Sequence, residues 1–385
     1  MKKNKKLFIL VNYLSFFLSH RLPIAKAALA KGYDVSIGYG ELRGADPKQL
    51  KKLGFKVYFI PMQPGGVNLI KDLKTFYFIW NFLRKLKPDI VHLVTIKPYL
   101  YGGIASRILG VPSLVSAVSG LGTLFIDSDL KSKILRLLLY PVYKLAFNHS
   151  NQKIILQNKS DLDILIKWGV LNSSKVRLLK GSGVILKKFT KLNEPSGIPK
   201  ICFAARLLRD KGVYEFISAA KIFKKKGITA NFYLAGDLDT NNPTGLNSND
   251  LDNIKKDGFV EILGFHKDIP SLYANSNIIC LPSYREGFPK SLMEAAAARR
   301  AVVTTNVPGC RDVIIPNKTG LIVPVKNPKK LADALEWLIK NPKERIKMGI
   351  AGRKLAEEEF QIEKFVSEHI NIYQNLLENI HNEIR

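Results

Sequence analysis

Cysteine is scarce in this chain of 385 residues: Cys202, Cys280 and Cys310 are the full count. An odd number without a CxxC pair argues against a disulfide framework and a thiolate zinc site, and suits a reducing compartment. Long apolar runs are also missing. No stretch reaches the roughly 18 clean apolar residues of a membrane-spanning helix, so none is expected. The start, MKKNKKLFILVNYLSFFLSH, imitates a signal peptide, but Asn12 and Ser15 break its apolar run and no small-residue cleavage site follows. LFILVNY reads better as a first buried strand. Acidic residues are few in the first half. Residues 1–190 hold 9 Asp and Glu against 31 Lys and Arg, leaving 23 against 29 for the rest and a net charge of +28. So one-sided a charge marks contact with nucleic acid, anionic lipid or a phosphorylated substrate. Lysine-rich codon usage is the competing explanation. No nucleic-acid-binding motif accompanies the charge, and there is no low-complexity tract or short repeat.

What is present is alternation. Short apolar runs rich in β-branched and aromatic residues fall at 7–13, 33–40, 56–61, 89–95, 113–119, 153–158 and 175–179. Uniformly apolar runs of this length are expected as parallel strands covered on both faces. Helical runs lie between them, for example at 20–31, 67–87, 100–109 and 129–148. The polar segment 181–197 reads as a linker. A second alternating series follows at 200–205, 231–237, 260–265, 278–283, 301–305 and 320–325, with 237–250 as a surface excursion. Helical runs at 328–359 and 363–380 close the chain. The expected fold class is α/β: two Rossmann-like, doubly wound parallel-sheet domains, 1–182 and 183–385, facing a central cleft. The last helix, 363–380, is a candidate to pack back onto the first domain.

The chemistry gathers around EGFPKSLMEAAAARR, residues 286–300. Glu286 and Glu294 have seven residues between them, and a strand hands over to a helix through Gly287, Phe288 and Pro289. The first turn of that helix, near Lys290 and Ser291, offers backbone N–H groups and the positive end of a macrodipole, which is an anion site. Alone, two glutamates around a short loop are ordinary solvated decoration. A second anion-binding element lies upstream. Arg206 leaves a strand end and Lys211–Gly212 opens the next helix; a planar fork and a mobile point charge both suit a diphosphate.

Together, R-x4-K-G, AGD at 235–237, LGF at 263–265 and EGFPKSLME resemble the family-four retaining glycosyltransferases of the GT-B fold. FFLSHRLPIA and VTIKPYLYGGIASRILGVPSLVSAVSGLG are similar to bacterial members that build O-antigen, capsule or other surface glycans on polyprenyl-diphosphate carriers. The resemblance implies an enzyme of the hexosyltransferase type. Arg206 and Lys211 would neutralise the donor diphosphate, and Glu286 would bind donor-sugar hydroxyls. Backbone groups around Gly287, Phe288, Lys290 and Ser291 would bind the sugar or distal phosphate, and Glu294 the ribose. Gly236 and Phe265 would frame the nucleotide, and Gly183 would let backbone approach the cleft. The implied donor is a UDP-sugar, with an N-acetylhexosamine as the sugar. The implied acceptor is a polyprenyl-diphosphate-linked saccharide, met by His20, Lys97 and Ser119.

Many members carry a histidine in the loop after the strand at 113–119, and SGLG has none. His20 takes its place as the candidate catalytic histidine, while His92, inside a strand, is expected to be packed. No DxD-like pair is placed to hold a divalent ion, so no metal and no cofactor beyond the nucleotide sugar is expected. No carboxylate is obviously placed as a nucleophile in the first domain, which favours front-face attack. Basic and aromatic residues mixed along 67–87 and 131–147 suit an anionic membrane interface, giving a peripheral protein on the inner face of the cell membrane. Two rival readings stand beside this one: a nucleotide-sugar epimerase of the same fold, and a non-catalytic subunit that binds nucleotide sugar or lipid carrier.

Overall fold

The computed structural model describes residues 4–63, 66, 68–122, 125, 130–191, 193–240 and 242–383. Residues 67 and 129, expected within helices, 192 in the linker and 241 in the excursion lie outside the described residues. The chain divides into two compact units, residues 1–182 with 363–385, and residues 183–362.

The first unit holds β1 (Lys6–Tyr13), β2 (Asp34–Glu41), β3 (Lys56–Phe59), β4 (Ile90–Val94), β5 (Ser113–Val118), β6 (Gln152–Leu156) and β7 (Val176–Leu178). They form one parallel sheet in the order β3-β2-β1-β4-β5-β6-β7. The six central residues of β1 are all buried, as are all of β4 and β5. Burial on both faces explains why these strands read as unbroken apolar runs.

The second unit holds β8 (Lys200–Ala204), β9 (Asn231–Ala235), β10 (Glu261–Gly264), β11 (Ile278–Leu281), β12 (Ala301–Thr305) and β13 (Gly320–Val323), parallel in the order β10-β9-β8-β11-β12-β13. Every strand expected from the sequence is present. In both sheets the order reverses beside the first strand, which places a topological switch point between β1 and β4 and another between β8 and β11.

Helix boundaries depart from expectation in three places. The segment after β1 is helical from Leu14 to His20, followed by a second helix, Leu22–Ala30. Leu14 and Phe17, three residues apart, bury one face of the first and start it directly at the strand end. The run 328–359 is two helices, Pro328–Lys340 and Pro342–Glu359, because Pro342 cannot continue the first and opens the second. The excursion at 237–250 ends in a helix, Ser248–Asp257, whose Asn247 and Asp250 form a capping box.

Helix Ile362–Glu383 belongs almost wholly to the first unit. His92 of β4 lies 2.6 Å from the Tyr373 hydroxyl, and Asn151 donates to the Leu376 carbonyl at 2.8 Å. His92 is fully buried, and burial holds its imidazole well below the usual range, with His369 and Arg21 adding to the effect. It is a packed histidine. Chain entry to and exit from the second unit run side by side: Val184 donates to the Phe360 carbonyl at 2.7 Å and Ile362 to that of Val184 at 3.1 Å.

Candidate active site

Two loops meet at the β8/β11 switch point. The first leaves β8 and carries Arg206, Lys211 and Gly212. The second leaves β11 and carries Ser283 to Pro289. Asp210 ties them together, its carbonyl accepting from the Tyr284 amide at 2.8 Å and the Ser283 hydroxyl at 3.0 Å. The approach requires a glycine. Gly212 has φ +78°, and a Cβ there would fall 2.1 Å from the Pro282 carbonyl oxygen. Gly212 then starts helix Val213–Lys225.

The lacing brings Lys211 and Glu286 into an ion pair through Glu286 Oε1. Glu286 is followed by buried Gly287 and Phe288, and the Phe288 ring packs edge-on against Phe360 at 5.7 Å. Helix Lys290–Ala297 begins after Pro289, with no side-chain cap and no acidic residue in its first turn. Its amino-terminal N–H groups and dipole therefore favour an anion. Lys290 and Ser291 are half-buried there. Glu294 is one turn in, with Lys290 Nζ at 3.6 Å. Burial holds its carboxyl above the usual carboxylate range, opposed by Lys290 and Lys188.

Arg206 is exposed at the end of β8, and its Nη1 donates to Asp239 Oδ2 at 2.8 Å. Gly236 follows β9 and donates to the Gly264 carbonyl at 2.8 Å; a Cβ on Gly236 would fall 1.9 Å from the Ala205 carbonyl oxygen. Phe265 follows β10 with its ring exposed. Arg206, Lys211, Gly236, Phe265, Glu286 and the start of the Lys290 helix thus all sit at or just beyond the carboxyl ends of β8 to β11. Gly183, also in this unit, is buried with φ +71°.

The candidate acceptor residues lie in the first unit. His20 is the last residue of helix Leu14–His20 rather than part of a loop, stacked on Phe16 at 4.2 Å with Nδ1 2.7 Å from the Ser19 hydroxyl. Lys97 is buried after β4 and pairs with buried Asp72 at 2.6 Å. Asp72 also accepts from the Asn68 amide at 3.0 Å, which fixes the start of helix Leu69–Leu86. Ser119 follows β5, and among the described residues its buried hydroxyl has no hydrogen-bond partner. His20 and Lys97 stand beyond β1 and β4, the two sides of that sheet's switch point.

Sequence reasoning missed three partners. Asp239 and Asp72 pair with cations from distant segments, and no local pattern announces either. Gly309, with φ +82°, leaves room for Glu286: a Cβ there would lie 2.4 Å from the Glu286 carbonyl oxygen. Its amide donates to Asp312 at 2.8 Å. The three cysteines are free and buried, and burial pushes the Cys202 and Cys310 thiols up to about 12.

Two family models cover this chain, a glycosyl transferase 4-like domain over residues 6–158 and glycosyl transferases group 1 over residues 184–355. The chain belongs to the family-four glycosyltransferases. Among its relatives is the N,N'-diacetylbacillosaminyl-diphospho-undecaprenol alpha-1,3-N-acetylgalactosaminyltransferase of Campylobacter jejuni. The two are 29% identical over 94% of this chain and 99% of the relative. Another is the UDP-Gal:alpha-D-GlcNAc-diphosphoundecaprenol alpha-1,3-galactosyltransferase of Escherichia coli, 27% identical over 73% of this chain and 74% of the relative. An Anabaena protein solved with UDP and glucose shares the fold, with a TM-score of 0.75, 16% identity and coverage of 97% of this chain and 100% of that one. This glycosyltransferase therefore has the GT-B architecture, and the epimerase and binding-subunit readings fall away.

Proposed function

We propose that this glycosyltransferase moves a sugar, an N-acetylhexosamine, from a UDP-sugar to a polyprenyl-diphosphate-linked saccharide in surface-glycan assembly. The observation that carries the donor half is the meeting of Arg206, Lys211, Glu286 and the uncapped start of helix Lys290–Ala297 at one switch point. The activities of the Campylobacter and Escherichia relatives support the donor and acceptor classes.

In this reading the bond from the anomeric carbon to the β-phosphate oxygen breaks, and UDP leaves with its electron pair. Arg206, Lys211 and the helix dipole are aimed at that growing charge, so they stabilise the transition state more than the ground state. Glu286 holds the sugar hydroxyls, and Glu294 accepts from the ribose. The acceptor oxygen attacks on the same face, and its proton passes to the leaving phosphate. The cationic donor set neutralises the diphosphate without a divalent ion. The acceptor is received by the first unit through His20, Lys97 and Ser119, and Gly183 lets backbone approach the donor.

We place the protein peripherally on the inner membrane face. Among the described residues no helix is long and apolar enough to cross a membrane. Helix Leu69–Leu86 exposes Leu69, Ile70, Leu73, Tyr77 and Phe78, while Phe76, Trp80 and Phe82 turn inward. Helix Leu130–Ala146 exposes Leu130, Ile134, Leu137 and Leu138 beside Lys133 and Arg136.

The test is UDP release from a panel of UDP-sugars in EDTA, with and without a membrane lipid extract, beside Glu286→Ala. Lipid-dependent release with one donor, lost in the variant, is the expected result. Saturable nucleotide binding with no turnover in any arm counts against it.

A further inference from the structure

The segment read from sequence as a surface excursion is laced to the strand-end loop that carries the site cations. Leu207 donates to the Asp237 carbonyl at 3.0 Å, Leu246 to that of Leu207 at 3.0 Å, and Arg209 to that of Thr244 at 2.8 Å. Gly245 closes the turn tightly, since a Cβ there would lie 2.1 Å from the Asp239 carbonyl oxygen. This geometry buries the Asp239 carboxylate and aims it at Arg206. The Asp239 side chain is 4% exposed, whereas that of Arg206 is 48% exposed.

The asymmetry matters. A buried carboxylate that needs a partner is fixed in place, while an exposed guanidinium on a long stem has many rotamers to lose. Asp239 occupies Nη1 of Arg206, one end of a rigid fork with five N–H donors. With that end held, the orientation of the remaining edge is set before any ligand arrives. Lys211 has a counterpart in Glu286, so each of the two cations is held by a carboxylate from another segment.

We infer that Asp239 is a positioning residue for Arg206: it pre-orients the guanidinium to take the diphosphate of a nucleotide sugar, and the 237–246 segment exists to carry it. This rests on the reading of Arg206 as a diphosphate ligand. Asp239 itself touches no substrate. Preorganisation of this kind raises affinity by removing an ordering cost at binding.

The test is a double-variant cycle read with inorganic pyrophosphate, which presents the diphosphate without base or sugar. Affinity is measured by calorimetry for the parent, Arg206→Met, Asp239→Asn and the pair, after thermal melts confirm that each folds. Asp239→Asn is close in shape and keeps one acceptor oxygen, and Arg206→Met changes an exposed side chain. Arg206→Met is expected to weaken binding about tenfold and Asp239→Asn about fivefold, the pair being no weaker than Arg206→Met alone. Independent, multiplying losses would mean that Asp239 acts through general stability and would overturn the inference. So would unchanged affinity in Asp239→Asn. If Arg206→Met itself leaves pyrophosphate affinity intact, the diphosphate role of Arg206 fails first, and the inference falls with it.

Discussion

Lys211 and Glu286, 75 residues apart in the chain, form an ion pair at the point where the strand order of the second sheet reverses. Each is assigned a different part of the donor, the ammonium the diphosphate and the carboxylate the sugar. The two groups assigned to the donor are therefore held against each other. In the proposed reading, donor binding would exchange this one ion pair for two sets of contacts.

Removing either partner is expected to act differently on binding and turnover. Lys211→Ala should weaken UDP binding about tenfold and lower kcat about a hundredfold, because charge on the leaving diphosphate loses a fixed cation. Glu286→Gln should leave UDP affinity within about threefold while kcat falls about a hundredfold, since the sugar rather than the nucleotide loses its anchor. Equal UDP affinity in both variants, read by calorimetry, would contradict this division of roles.

Glu294 gives a pH prediction with a definite sign. Burial raises its carboxyl pKa in the folded protein. The folded state therefore keeps that proton to higher pH than the unfolded chain does. The stability contribution of Glu294 is present below its unfolded value and is lost as pH rises through the folded one. Glu294→Gln should accordingly melt higher than the parent at neutral pH, with the gap closing towards about pH 4. The same variant should bind UDP about tenfold more weakly if Glu294 accepts from the ribose. Melting curves from acid to neutral pH check the first claim, and calorimetry the second.

Asp72 and Lys97 make a buried pair, with side chains 9% and 8% exposed. Removing one partner strands a buried charge, so Lys97→Met should cost about 3–5 kcal/mol of stability. Asp72→Asn with Lys97→Met should recover most of that loss, because the amide keeps an acceptor for the Asn68 N–H while the unpaired buried charge is gone. Urea titrations of the two proteins decide it. A double variant as unstable as the single one would show that the pair is not the cause.

The central strands were legible because parallel strands buried on both faces cannot hide their composition, whereas the edge strands β3, β7 and β10 are only partly buried. The candidate donor residues Arg206, Lys211, Glu286 and Glu294 stand in short local patterns, which is why sequence alone could bring them forward. The partners of two of the cations were not legible. Asp239 lies 33 residues from Arg206, and Lys97 lies 25 from Asp72, so only the folded sheet order brings them together. Helix Ser248–Asp257 gives little apolar pattern because it buries little beyond Ile254, although Asn247 and Asp250 carry a capping signature. Helix Leu14–His20 starts with no break after β1, and Leu14 and Phe17 blend into the apolar run before them.

The proposed membrane contact is open to direct measurement. Sedimentation with phosphatidylglycerol vesicles should capture the parent protein, and binding should fall with salt because Lys133 and Arg136 add attraction of about 1 kcal/mol each. Leu137→Glu with Leu138→Glu changes side chains exposed on helix Leu130–Ala146 and should cut capture at least about tenfold without moving the melting temperature. Undiminished capture of that variant would remove this helix from the membrane contact.

The second unit is one continuous stretch of chain, closed where Val184 meets Phe360 and Ile362, whereas the first is completed only by helix Ile362–Glu383. During synthesis the first unit therefore cannot complete its packing until the last helix has been made. Residues 183–362 have all their strands in hand as soon as they emerge, but His92 and Asn151 wait for Tyr373 and Leu376. The half of the protein made first is therefore the half completed last.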